Sequence, residues 1–193
     1  MAANLKAELI ILQLLKGKEG DIAHIKVRKE FDSFTLDLKI YLLGDEASGK
    51  STTLGVLVSG KPDNGKGSAR NNVFRHPHEF LSGKTSCLSH QILGFDGTGR
   101  VTNNNQIGKR KLTWAQIVEA SQKILTFIDV GGSKKYFRTL VQGLSSTRPD
   151  YGMLCIGADA VDTQTTHEHF KLAKALDIPI FIVMTKADLL TDE

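Results

Sequence analysis

Residues Gly44-Asp45-Glu46-Ala47-Ser48-Gly49-Lys50-Ser51 have types and spacing suited to holding a phosphate chain. They follow the pattern G-x-x-x-x-G-K-[ST] in full. The glycines let the backbone fold into a nest whose N–H groups point at anionic oxygens. A helix beginning at Ser51 adds its positive end. Lys50 brings a mobile point charge to the outer phosphates. The Ser51 hydroxyl is a hard oxygen of the kind Mg²⁺ prefers.

Two further runs could complete such a site. Asp129-Val130-Gly131-Gly132 closes the apolar stretch Ile124–Ile128, placing a carboxylate at a strand tip, where open α/β sheets take their ligands. Asp129 can hold the same Mg²⁺ through water. Gly132, without a side chain, can bring its N–H to a terminal phosphate. Taken alone, the run marks only a strand-ending Asp before a turn; one βαβ unit after a phosphate loop it becomes a candidate. Thr185-Lys186-Ala187-Asp188 ends the next apolar stretch. The Asp188 carboxylate can accept from guanine N1–H and N2–H₂, a pairing adenine does not offer. The Lys186 stem can lie along the purine face. Taken alone, a helix-starting Asp explains that run equally well.

The elements that must position these residues follow from periodicity. Residues 5–16 place apolar groups at helical spacing, which predicts a helix ended by Gly17 and Gly20. Residues 22–29 alternate and predict a strand, followed by a turn around Phe31–Phe34. Apolar runs at Leu36–Leu43, Ile124–Ile128, Tyr151–Gly157 and Ile178–Met184 predict strands buried on both faces. Helical patterns at Ser51–Val58, Lys134–Leu144 and Thr165–Leu176 alternate with them, the signature of a mostly parallel sheet flanked by helices. The stretch 60–110 is polar and without period, apart from a hairpin over Gln91–Phe95 and Arg100–Thr102. A short helix is expected near Thr113–Ala120.

Composition narrows the classes. Hydrophobic residues make up 40% and charged residues 24%, which excludes disordered, collagenous and coiled-coil chains. No apolar run reaches the ~20 residues that span a bilayer, and the N-terminal stretch lacks the basic start and cleavage site of a signal peptide. Neither a membrane nor a DNA partner is expected. Cys87 and Cys155 form no framework and read as free thiols of a reducing compartment. The net charge of +4 is compatible with an RNA or ribosome partner without requiring one. His76-Pro77-His78-Glu79 and His167-Glu168-His169 lack the convergent spacing of a zinc site. Lys109-Arg110-Lys111 reads as a solvated basic turn and Trp114 as a packing residue.

The three site motifs, in this order, resemble those of a GTPase. The segment from about Leu36 to Leu190, some four-fifths of the chain, is similar to the translational GTPases of the elongation factor Tu class. Within these it resembles the eukaryotic GTP-binding protein 1 and 2 subfamily. The likeness lies in LGVL (54–57), DNGKGSAR (63–70), FRHPHE (74–79), SGKTS (82–86), ILGFD (92–96), FIDVGGSKKY (127–136) and THEHFKLAKAL (166–176). It implies a P-loop NTPase fold, the GTPase G domain, binding GTP or GDP with Mg²⁺. It implies nucleotide contacts from Gly44, Asp45, Glu46, Ala47, Ser48, Gly49, Lys50, Ser51, Thr52, Asp129, Gly132, Thr185, Lys186 and Asp188. Mg²⁺ would be held by Ser51, Thr85 and Asp129. Thr85 would be the switch threonine that closes over metal and γ-phosphate, in a loop over roughly 60–90 ordered by GTP. Cytoplasmic work near ribosomes, translation or mRNA is the implied setting. Thr185 replaces the usual Asn of the guanine motif, as the subfamily tolerates.

The sequence departs from that family where water is aimed. After the glycines the family carries a histidine that positions the attacking water; here it is Ser133, too short to reach as far. Three residues before the lysine, the family's aspartate is replaced by Ala47. Lys50, Thr85, Gly132 and the degenerate Ser133 would form the catalytic set. Hydrolysis depends chiefly on positioning and electrostatics, so these changes predict GTP binding with slow turnover. The alternative is a degenerate GTPase acting as a nucleotide-dependent binding module. An ATP-using kinase is disfavoured by Thr185–Asp188. The family's next base-holding loop, last helix and β-barrels have no counterpart before Glu193. The chain is therefore expected to be an excised G domain over 36–193. Residues 1–35 would be an N-terminal extension or the end of an upstream domain.

Overall fold

The computed structural model describes residues 7–17, 20–29, 36–103 and 112–189. The chain divides into two compact units, Met1–Thr35 and Leu36–Glu193. In the first, strands β1 (Ala7–Gly17) and β2 (Gly20–Lys29) pair antiparallel, from Ala7 opposite Lys29 to Gly17 opposite Gly20. The register slips between Ile11 and Gln13. This corrects the helix expected over 5–16. A run dense in Leu and Ile satisfies both periods, and the neighbouring β2 supplies the ladder that settles it. Gly17 and Gly20, taken as a helix stop, instead close a hairpin. The turn expected at Phe31–Phe34 and the basic run Lys109–Lys111 lie outside the described residues.

The second unit is built on β3 (Leu36–Leu43), β4 (Ser89–Phe95), β5 (Lys123–Asp129), β6 (Tyr151–Gly157) and β7 (Ile180–Thr185). Their order across the sheet is β4-β5-β3-β6-β7. The pairs of β3 with β5, β3 with β6, and β6 with β7 are parallel, while β4 runs antiparallel to β5. The expected hairpin is reduced to β4 and one bridge, from Phe95 to Val101.

Among the described residues, five α-helices connect or flank these strands. They are α1 (Lys50–Ser59), α2 (Pro77–Ser82), α3 (Trp114–Glu119), α4 (Phe137–Thr147) and α5 (Gln164–Ala175). The sequence pattern missed α2, whose single and a half turns show no apolar period. Alternate residues of β3 serve opposite faces of the sheet. Tyr41 and Leu43 pack with Ile128, Leu140, Leu144 and Leu154 on the side of α4 and α5. Ile40 and Leu42 pack with Leu54, Phe127 and Met153 on the side of α1. This two-sided burial explains why the second half of the strand, residues 40–43, is apolar without interruption. It also fixes the C-terminal tips of β3, β5, β6 and β7 along one edge. Among the described residues, no helix is long and apolar enough to cross a membrane.

Candidate functional site

The site is assembled at that edge. β3 ends at Leu43, and the chain turns through Gly44 (φ 128°), Ala47 (φ 62°) and Gly49 (φ 81°) before α1 begins. Left-handed residues alternating with others make a concave run of N–H groups, the geometry of an anion nest. Lys50, in the first turn of α1, is 5% exposed and folds back on the loop. Its ammonium donates to the carbonyls of Gly44 (3.1 Å) and Asp45, and to Ser48 Oγ (3.4 Å). Burial pulls its pKa down, and the Asp129 carboxylate opposes this. Gly132 approaches so closely that a Cβ there would press on Lys50 Nζ and the Asp45 carbonyl. A residue without a side chain is required at that point.

Beside the loop, oxygens from three distant segments converge. Ser51 donates to Asp129 Oδ2 at 2.6 Å, Ser51 Oγ stands 2.6 Å from Thr85 Oγ1, and Thr85 Oγ1 is 3.4 Å from Asp129 Oδ2. Asp129 is fully buried, and among the described residues its Oδ1 has no hydrogen-bond partner. Burial pushes its pKa up, against the Ser51 hydrogen bond and the Lys50 charge. An orphaned carboxylate oxygen in a dry setting is costly unless a cation or donor completes it. Octahedral Mg²⁺ at ~2.1 Å from each oxygen puts neighbouring ligands about 3 Å apart. The observed spacings bracket that value, so these residues fit the ion.

Thr185 ties the segment that carries Asp188 to the loop after β3. Its hydroxyl, at the tip of β7, donates to the Ser48 carbonyl at 2.8 Å. Lys186 adopts φ 56° and its ammonium pairs with Asp159 at 2.6 Å. Asp188 lies exposed in a 3₁₀ turn, Ala187–Leu189. A single open cleft of about 1100 Å³ runs past Glu46–Thr53, Thr85, Gly132, Ser133, Thr185, Lys186 and Asp188.

The sequence profile of the elongation factor Tu GTP-binding domain matches residues 37–193. The chain belongs to the elongation factor Tu GTP-binding domain family. Its resemblance to GTP-binding proteins 1 and 2 also holds. The chain is 42% identical over 190 residues to GTP-binding protein 1 of Xenopus laevis, covering 98% of this chain and 29% of that protein. It is 47% identical over 169 residues to GTP-binding protein 2 of Mus musculus, covering 87% and 27%. Among solved structures, translation elongation factor SelB of Methanococcus maripaludis, in complex with the GTP analogue GppNHp, superposes with a TM-score of 0.50. The identity is 17%, covering 81% of this chain and 24% of that one, so the likeness is one of fold. The chain thus spans less than a third of the relatives it matches.

Within this GTP-binding domain, the residues singled out from sequence fall into two layers. Glu46 to Thr52 and Thr85, Gly132, Ser133, Thr185, Lys186 and Asp188 line the cleft, while Gly44, Asp45 and Asp129 stand behind it. Ser133 is half-buried in the cleft wall, at the start of a 3₁₀ turn, and Ala47 is exposed on the loop.

Sequence reasoning missed residues that brace the site. His169, 1% exposed on α5, accepts the Gly44 N–H at Nδ1 (3.0 Å) from behind the loop. Burial, then the Lys50 charge, hold its pKa at about 4, so it is a neutral acceptor. Thr165, Thr166, His169 and Ala173 form the buried stripe of α5, and that helical spacing was the available signal. Glu79, 1% exposed, accepts from the N–H groups of Arg75, His76 and Ser86 and from the Ser86 hydroxyl. Burial alone would raise its pKa, but these hydrogen bonds outweigh it and hold it at about 2. Glu79 thereby clamps the residue next to Thr85. Two other histidines have side-chain partners: His78 lies 2.7 Å from Ser86 Oγ and His167 lies 2.6 Å from Asp162. Cys87 and Cys155 carry free thiols, and burial raises both pKa values, Cys155 to about 11.

Proposed function

We propose that this chain binds GTP and GDP with Mg²⁺ and hydrolyses GTP slowly to GDP and phosphate. One observation carries the reading: a single cleft runs from the Ser51–Thr85 hydroxyls, backed by the orphaned Asp129 carboxylate, to the exposed carboxylate of Asp188. The first end suits a metal-bound polyphosphate and the second suits the donor edge of guanine. Lys50 and the loop N–H groups would take the outer phosphates, exchanging Lys50's present contacts with loop carbonyls for phosphate oxygens. Ser51, Thr85 and Asp129 would hold Mg²⁺, which neutralises charge on the phosphate oxygens. The Gly132 N–H would meet the terminal phosphate.

Hydrolysis joins a water oxygen to the terminal phosphorus and releases GDP as the bridging bond breaks. Ser133 and Ala47 leave that water without a long side chain to aim it, which supports a slow rate. The same pair of residues favours a second reading, a nucleotide-dependent binding module with little turnover. Family membership and the net charge of +4 support work beside the ribosome or RNA in the cytoplasm.

Single-turnover hydrolysis of labelled GTP tests the rate. Ser133→His is expected to accelerate it at least about a hundredfold, the low end of what a positioned acid–base group supplies. Equal rates would sink the positioning argument. Calorimetry with GTP, GDP and ATP tests the base, and heat from ATP equal to that from GTP contradicts the role given to Asp188.

A further inference from the structure

We infer that Arg70 donates its guanidinium to the terminal phosphate of the nucleotide in the cleft, a role that rests on the function proposed above. Arg70 belongs to the 3₁₀ turn Ser68–Asn72. The loop before it is preset: the Asp63 carboxylate accepts from the Gly67 N–H (2.8 Å) and the Ala69 N–H (2.7 Å). The turn is seated on α1, where a Cβ on Gly55 would collide with the Ala69 carbonyl. The backbone of Arg70 is therefore anchored to the helix that the phosphate loop opens.

Its guanidinium occupies a slot between two glycines from different segments. A Cβ on Gly67 would stand 2.7 Å from Cζ, and one on Gly83 would stand 2.9 Å from Nη2. Both glycines are left-handed, at φ 80° and 67°, so each is suited to its place twice over. The guanidinium is in this way flanked on both sides, half-buried, on the cleft wall.

What the slot lacks is an acceptor. Among the described residues, no carboxylate, carbonyl or hydroxyl accepts from the Arg70 side chain. Three other cations of the cleft have acceptors. Lys50 donates to the loop carbonyls, Lys84 pairs with Glu46 at 2.5 Å and Lys186 pairs with Asp159. A guanidinium partly withdrawn from water and left with five unused donors calls for an anion, and its planar fork matches a phosphate in bidentate fashion.

The slot also says which phosphate. Gly83 lies two residues before Thr85, a span of at most about 7 Å. Thr85 is the residue whose hydroxyl meets Ser51 at the metal-suited cluster. The intervening Lys84 reaches across to Glu46 in the phosphate loop. Three successive residues thus attach the Arg70 slot, the loop and the metal-suited oxygens to one another at the phosphate end, away from Asp188. A guanidinium there would also meet charge building on the terminal phosphoryl oxygens during transfer.

Calorimetry on the full chain, with Mg²⁺ and either GDP or a non-hydrolysable GTP analogue, tests this. Arg70→Gln is expected to weaken the analogue about tenfold or more while changing GDP affinity less than about threefold. Arg70→Lys, which keeps charge but loses the fork, is expected to recover only part of the loss. That variant carries the test if the glutamine variant does not fold. Equal losses for both nucleotides would make Arg70 a structural residue and overturn the inference. So would unchanged affinity for both. A wild-type chain that binds neither nucleotide would overturn the functional reading and this inference with it, whereas intact wild-type binding confines any failure to Arg70.

Discussion

At the phosphate-suited end of the cleft, Ser48, Lys50 and Asp129 are buried, and Gly44 and Ser51 beside them are bonded to His169 of α5, Asp129 of β5 and Thr85. At the base end, Asp188 and Leu189 stand exposed, and Lys186 is held by one ion pair with side chains 31% and 41% exposed. Pairs that exposed are worth about 0–1 kcal/mol. The contrast teaches where each end draws its strength. On the proposed function, phosphate oxygens would be captured by donors fixed before the ligand arrives, and withdrawal from water would strengthen each contact. The base would be met by a carboxylate still in solvent, whose contribution would be selectivity through two directed hydrogen bonds.

The contrast can be broken with substitutions at each end. Lys50→Ala should lower affinity for guanine nucleotides by about a thousandfold, since truncating one partner of a desolvated charge pair costs about 2–5 kcal/mol. Calorimetry with GDP and Mg²⁺ reads this, and a loss under tenfold would mean that the buried end does not dominate.

The next effect sharpens the role of His169. Its native pKa of about 4 lies below the ordinary value, so the unfolded chain binds the proton more tightly. Stability should be full above pH 6.5 and fall by up to about 3 kcal/mol as pH drops from 6.5 to 4. Urea unfolding across that range should show the slope. His169→Gln, which keeps an acceptor for Gly44 but cannot titrate, should flatten it.

At the base end, Asp188→Ala should lower GDP affinity by about ten- to a hundredfold, the value of hydrogen bonds to a charged acceptor. Inorganic triphosphate binding should stay unchanged; parallel loss of both would erase the distinction between the ends. The smallest effect concerns Ala47, whose φ of 62° is unfavourable for a residue with a Cβ. Ala47→Gly should raise stability by about 0.5–1 kcal/mol in urea unfolding.

Much of this arrangement was legible in the order of residues. Strands β3, β5 and β6 announce themselves as apolar runs because they lie inside the sheet, whereas β7, read from its apolar run as buried on both faces, is an edge strand with Phe181, Ile182 and Met184 exposed. The loop Gly44–Ser51 announces itself because an anion nest needs glycine at set positions. The antiparallel β1–β2 pair was misread because Leu and Ile at those spacings satisfy a helix as well as a strand. Short α2 was missed because its inward residue is Glu79, a charged group that no hydrophobic period detects. Arg70 and Lys84 looked like ordinary basic residues of a polar stretch, since folding alone brings Gly83 to the Arg70 guanidinium and Glu46 to Lys84.

The residue order by itself determined the phosphate-loop motif, the acidic strand tip at Asp129, the carboxylate of Asp188 after the next apolar run and the absence of long side chains at Ala47 and Ser133. Each is a local matter of which atoms a residue carries and where a strand must end. Tertiary structure alone decided that Asp129 would be buried with one oxygen unpartnered. It alone decided that His169 would support Gly44 as a neutral base and that two glycines would flank the Arg70 guanidinium. Those are properties of burial and of contacts across long sequence separations, and no residue carries them until the sheet has brought its neighbours in.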